Sequence, residues 1–339
     1  MLLINIILRT LKYLSLSIMP RFSIHHITKY TYEGPVRDSA NQIILFPMKD
    51  AHQEVMRQEL DITGEPAVEV YKDYYGNEVG SFTHAEPHTA LIIDSRLEVI
   101  TKPRPAVEDT IAVETQWAQL EQIRWQVPYI DFLKQEQFES LLEVLESICP
   151  DKARSQTPLV AAMQLRNYVY ENFKYIKGVT SVESTLDEVW GLKAGVCQDF
   201  AHVLLVLLRQ IRIPARYVSG YICPNKNGMR GEGATHAWIE AYIPFNGWIG
   251  LDPTNNCIAD DLHVRLAIGR SFSDVSPVKG TYKGSAGQQL EVGVSVSYEN
   301  GRVSEDETQT VLSPQPSANG KDGNSYRRYM EMMQQQQQQ

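Results

Sequence analysis

Residues 195–214 read GVCQDFAHVLLVLLRQIRIP, and this stretch decides the fold. Val203 to Leu208 is apolar without a break, so a helix here is enclosed by protein on nearly every side. Pro214 closes it, because proline has no N–H to donate and clashes with a continuing turn. Upstream, Thr157-Pro158 reads as a helix start, threonine capping and proline in the first turn, leading into LVAAMQLRNYVYENFKY. One apolar side of that helix is expected to pack on the elements C-terminal to it. Downstream come runs with strand character, ARYVSGYIC, THAWIEAYI and GWIGLDPT. The expected core is therefore α+β, a helix bundle packed on an antiparallel sheet.

Working outward, residues 22–103 are rich in β-branched and aromatic side chains in short runs, among them SIHHITKYTY, AVEVYKDYY and TALIIDSRLEVI. Glu33-Gly34-Pro35, Thr63-Gly64-Glu65-Pro66 and Tyr75-Gly76-Asn77 supply turn chemistry between them, which predicts a β-rich, sandwich-like N-terminal domain. Residues 104–153 are expected as a helical linker broken at Pro128, residues 154–298 as the α+β core unit, and residues 299–339, which end in a glutamine run, as a disordered tail. Residues 1–21 are set aside as a leader outside the core. Arg9 and Lys12 interrupt the apolar start, no cleavage pattern succeeds it, and the run is too short and charged to span a bilayer, while Met19 offers a second start.

Composition narrows the function. The 339 residues carry 32 Lys plus Arg against 41 Asp plus Glu, a net charge of −9, without basic clustering in the core, so nucleic acid and stable membrane insertion are not expected. Cys149, Cys197, Cys223 and Cys257 form no Cys-x-x-Cys pair and no zinc spacing. Four cysteines in a chain this long fit a reducing, cytoplasmic setting in which at most one is reactive. No metal or cofactor is expected.

That one is Cys197. It opens the enclosed helix, where unpaired backbone N–H groups and the helix dipole lower a thiol pKa and offer donors to an oxyanion. A thiol nucleophile needs a base. In THAWIEAYI, alternation puts His236, Trp238, Glu240 and Tyr242 on one face and the small apolar residues on the other. Asp252 lies sixteen residues after His236 at the end of GWIGLDPTNN. A hairpin turning between Ile243 and Gly247 and centred on Pro244 sets the two opposite each other on one face, where the carboxylate can orient the imidazole. Trp238 and Trp248, on the same strands, are candidate walls against water, Trp238 also a substrate contact, and Gln198 is a candidate oxyanion or substrate contact. Asp199 reads as a first-turn acid, His202 as a packed side chain, and His25, His26, His84 and His88 as structural.

Four motifs in one order, GVCQDFAH, IPARYVSGY, THAWIEAYIPFNGWIGLDPTNN and GRSFSDVSPVKGTYKG, resemble the bacterial transglutaminase-like family from about Arg154 to Gly284. The region from Phe22 to about Pro103 resembles the β-rich domain that often precedes that core. The resemblance implies a papain-like triad that falls on Cys197, His236 and Asp252, and a protein or peptide amide as substrate. It leaves open whether water or an amine captures the thioester; the polar, glycine-rich stretch Pro224 to Ala234 beside the site favours water. A non-catalytic scaffold retaining the fold is the alternative, and the intact trio argues against it.

Overall fold

A computed structural model describes residues 19–298 except 137, 149, 182–183, 224–228 and 231–234. Residues 1–18 of the leader, the tail, Cys149 and most of the glycine-rich stretch therefore lie outside the described residues, while Arg21, set in the leader, already belongs to the first strand. The chain order is β1 (Arg21–Ile43), β2 (Gln53–Ile62), β3 (Glu69–Lys72), β4 (Glu78–His84) and β5 (His88–Thr101). Then come α1 (Val113–Ile123), α2 (Leu141–Ile148), α3 (Pro150–Arg154) and α4 (Pro158–Asn172), and after them β6 (Lys174–Tyr175), α5 (Leu186–Leu192), β7 (Ala194–Gly195) and α6 (Cys197–Gln210). The chain continues through β8 (Ala215–Ile222), β9 (Thr235–Ile243), β10 (Gly247–Asp252), β11 (Cys257–Ile258) and β12 (His263–Gly269). It closes with α7 (Phe272–Val275), β13 (Val278–Lys283) and β14 (Gln288–Tyr298).

The N-terminal sheet is built around β1. Its first half pairs antiparallel with β5 and β14, its second half with β4 and β13, and the register shifts between Thr31 and Val36. Glu33-Gly34-Pro35, expected as a turn between strands, is instead the place where this one long strand changes neighbours. The other two expected turns form, with positive φ at Gly64 and Gly76, where a side chain would be strained. The expected boundary at 298 changes in kind: β13 and β14, residues 278–298, complete the N-terminal sheet rather than the core sheet.

The core sheet runs β11-β10-β9-β8-β12, antiparallel throughout. Ala237, Ile239, Ala241 and Ile243 from β9 share one apolar cluster with Phe200, Leu204, Leu207 and Leu208 of α6. Every residue of α6 from Asp199 to Arg209 except His202 is buried, as the unbroken apolar run requires. Thr157 caps α4 by accepting the Val160 N–H at 3.3 Å, with Pro158 in the first turn. Residues 104–153 are more than a linker, since Trp117, Leu120 and Ile123 of α1 enter the same cluster as α6. Among the described residues no helix is long and apolar enough to cross a membrane.

Candidate active site

Cys197 stands half-buried at the first position of α6. Gly195 and Asp199 shape the entry: the Asp199 carboxylate accepts the Val196 N–H at 2.8 Å and the Thr180 hydroxyl at 2.6 Å, and a Cβ on Gly195 would meet Asp199 Cβ and Cγ at 2.8 Å. Asp199 is thus the first-turn acid expected, and only a glycine leaves room for its cap. The N–H groups of that first turn have no carbonyl partner within the helix and carry its positive dipole end.

His236 and Asp252 meet, by a register different from the one expected. Ile243 lies opposite Gly247 and Leu251 opposite Ile239, so the hairpin centres on Phe245 rather than Pro244. The Asn246 N–H returns to the Ile243 carbonyl at 3.0 Å, closing a three-residue loop with positive φ at Phe245 and Gly247. The shift is two residues, and an even shift keeps both side chains on one face. They become diagonal neighbours, with Nε2 of His236 2.8 Å from Oδ2 of Asp252 and both side chains fully buried. Oδ1 of Asp252 accepts the backbone N–H groups of Thr254 at 2.8 Å and Asn255 at 3.2 Å, and the Asn255 amide donates to Oδ2 at 2.8 Å.

A second histidine, absent from the expectations, joins them. His263 opens β12 with Nε2 3.3 Å from Asp252 Oδ2 and Nδ1 3.2 Å from Asp260 Oδ1. On a flat sheet three strand spacings would separate β10 from β12 by about 14 Å. Their contact requires the sheet to curl. Trp238 fills the curl: its fully buried ring stacks 6.1 Å from that of His236 at 26°, and Gly220 faces it where a Cβ would meet the ring at 2.6 Å.

These contacts set the charges. Burial alone would pull the His236 pKa down, but the Asp252 carboxylate beside it, with a further contribution from the Cys197 thiol, lifts it to about 9. Burial pushes Asp252 up, yet His236 and His263 outweigh it and hold the carboxyl well below the usual range. For His263, too, burial is outweighed, here by hydrogen bonds to Asp252, Asp260 and Cys257, and the ring is driven well above an ordinary histidine. Asp252 engages Nε2 of His236, so the buried Nδ1 is the nitrogen left for the thiol.

By distance the ligating atoms of His236, Asp252 and His263, all within 4.8 Å, could surround a metal ion. The donors argue otherwise, because Oδ2 already accepts from both imidazoles and the Asn255 amide, and a protonated imidazole nitrogen is no ligand.

Other expected contacts fall elsewhere. Trp238 is buried beneath His236 and offers no face to a substrate, which corrects its reading as a substrate contact. Trp248 lies at the opposite end of the hairpin, packed on Tyr129, Phe132 and Tyr242, about 20 Å along the strand from His236, and walls nothing there. Gln198 is half-buried in the first turn of α6. His202 accepts the Phe272 N–H at 3.2 Å and faces Glu136 at 3.4 Å, a packed side chain.

Comparison with known proteins agrees with this architecture. The model of the transglutaminase-like superfamily matches residues 147–253 and that of the bacterial transglutaminase-like N-terminal region matches residues 22–100. An uncharacterised protein of Mycobacterium leprae is 31% identical over 284 residues, 82% of this chain and 99% of its own length. The protein-glutamine gamma-glutamyltransferase of Pseudomonas aeruginosa is 30% identical over 110 residues, 30% of this chain and 16% of that protein. A solved structure of a proposed cysteine protease from Cytophaga hutchinsonii superposes with a TM-score of 0.56 at 21% identity, covering 87% of this chain and 98% of that one, a likeness of fold.

Proposed function

We propose, for a chain that belongs to the transglutaminase-like superfamily, that it is a thiol-dependent enzyme acting on an amide of a protein or peptide. Cys197 is the nucleophile, His236 the general base and then general acid, and Asp252 the residue that fixes the imidazole. His236 Nδ1 takes the thiol proton, and the thiolate attacks the amide carbon while first-turn N–H groups of α6 receive the oxyanion. The C–S bond forms as the C–N bond breaks, and the imidazolium proton goes to the departing amine. The thioester is then cleaved by an acceptor that His236 deprotonates.

The observation that carries this reading is the 2.8 Å contact of His236 Nε2 with a fully buried, ionised Asp252, which leaves only Nδ1 for the thiol. Water is the favoured acceptor. Amine transfer must exclude a solvent present at ~55 M, and of the expected walls Trp238 is buried beneath His236 and Trp248 packs on Phe132 near the turn of the hairpin.

Incubation with glutamine-containing peptides, with and without a labelled primary amine, tests both parts. Ammonia release or backbone cleavage that vanishes in Cys197→Ala and is indifferent to the amine is expected. Dominant amine incorporation would reverse the acceptor. Turnover by Cys197→Ala, or native Cys197 alkylated no faster than Cys257, would end the enzyme reading.

A further inference from the structure

His263 touches the constellation, and the reaction above gives it no task. Its side chain is 1% exposed, and its ring lies 6.2 Å from that of His236 and 5.1 Å from that of Trp238. The need for it comes from Asp252. An ionised carboxylate buried beside a nucleophile acts twice with opposite signs, stabilising the imidazolium of His236 and opposing the negative charge on Cys197. A cation on the far side of that carboxylate offsets the second effect and leaves the hydrogen bond of the first in place.

We propose that His263 is a positioning residue, a buried counter-cation held between Asp252 and Asp260 that lowers the pH at which the Cys197–His236 ion pair forms. The charges then alternate along one line: thiolate, imidazolium, carboxylate, imidazolium, carboxylate. The line ends at Asp260, whose side chain is 56% exposed.

The surroundings of His263 agree. Asp252 and Cys257 face it from β10 and β11, His236 from β9, and Asp260 and Asp261 from the preceding loop. Arg166 of α4 stands on the side of Cys257 and Asp252. Across a small polar cavity lie His52, Lys102, Arg104 and Arg265. Lys102 is paired with Glu54, Arg104 with Glu240, and Arg265 with both Asp50 and Glu240. The acids that contact the His263 ring directly are Asp252 and Asp260, one at each nitrogen.

This inference rests on the acyl-transfer reading, and the test separates the two. In full-length protein, the rate at which iodoacetamide alkylates each cysteine is monitored against pH by peptide mass spectrometry, for the native chain and His263→Gln. Glutamine can still donate to Asp252 but carries no charge. The pH at which Cys197 becomes reactive should rise by about one unit, a roughly tenfold loss of rate on the acid side, with the melting curve as a check on folding. In parallel, ¹⁵N spectra of the native histidine rings should show both nitrogens of His263 protonated at neutral pH. That reading needs no variant to fold.

An unchanged Cys197 profile in folded His263→Gln overturns the proposal. So does an unprotonated Nδ1, accepting the Asp260 N–H that points at it from 3.2 Å. A native Cys197 with no enhanced reactivity at all would instead sink the enzyme reading itself.

Discussion

His26 and His236 are the same residue type, equally buried in one chain, and they hold protons in opposite ways. His26, on β1, bonds through Nδ1 to the Tyr221 hydroxyl of β8 at 2.8 Å and through Nε2 to the Thr28 hydroxyl at 3.2 Å, joining the N-terminal sheet to the core. Its partners are neutral, and burial, reinforced by His25, lowers its pKa to about 4. His236 has a carboxylate and is raised to about 9. Burial is common to both, so it marks neither as functional; the partner does. A buried histidine between hydroxyls is a neutral strut, whereas one against a buried carboxylate holds its proton to higher pH.

The largest effect is expected from making the second region resemble the first. Asp252→Asn gives His236 a neutral partner while its Oδ1 can still accept the Thr254 N–H. Cys197 alkylation and peptide turnover at neutral pH should fall by about 10²- to 10⁴-fold in the folded variant, with a lower melting temperature because the buried pairs with His236 and His263 are lost as well. Retention of activity within tenfold would break the comparison. The mirror variant, His26→Gln, should leave Cys197 reactivity unchanged, and any loss would mean that the domain interface and the site are coupled.

Stability against pH should show both signs. The contribution of His236, whose pKa is raised in the folded state, is fully present below about pH 6.5 and is lost as pH rises through about 9. That of His26, whose pKa is depressed, is present above about 6.5 and is lost as pH falls toward 4, by roughly 3 kcal/mol. Asp252, also depressed, adds a loss at more acid pH. Denaturant unfolding across pH 4 to 10 should therefore peak between the two histidine windows, and His26→Gln should flatten only the acid slope. A slope unchanged in that variant would remove His26 from the account.

The difference between these histidines was partly legible in the sequence. Parity along β9 and β10 sets His236 and Asp252 on one face whatever even register the loop selects, so the pair survives a two-residue error in the hairpin. The unbroken apolar run of α6 likewise needs no tertiary knowledge. His263 could not be read this way: HVRLAIG shows a histidine at a strand start, but its contact with Asp252 depends on β12 joining the far side of β8 and on the sheet curling round Trp238. The same curl buries the tryptophan that alternation alone offered as a wall. The return of β13 and β14 to β1 is equally long-range, and no local pattern announces it.

The smallest effect expected sharpens the comparison from the thiol side. In the proposed reaction Cys197 has two supports, the His236–Asp252 pair and the end of α6, and Gly195→Ala addresses the second alone. An added Cβ would press on the Asp199 side chain, which then gives up the Val196 N–H and the Thr180 hydroxyl. Loss of a helix cap of this kind costs about 1 kcal/mol. Alkylation of Cys197 should slow by only a few fold, because the imidazole and its carboxylate are untouched and the first-turn N–H groups remain. The pH at which reactivity appears should hardly move, in contrast to His263→Gln. A loss as large as that of Asp252→Asn would show that the helix end, rather than the buried carboxylate, sets the state of the thiol.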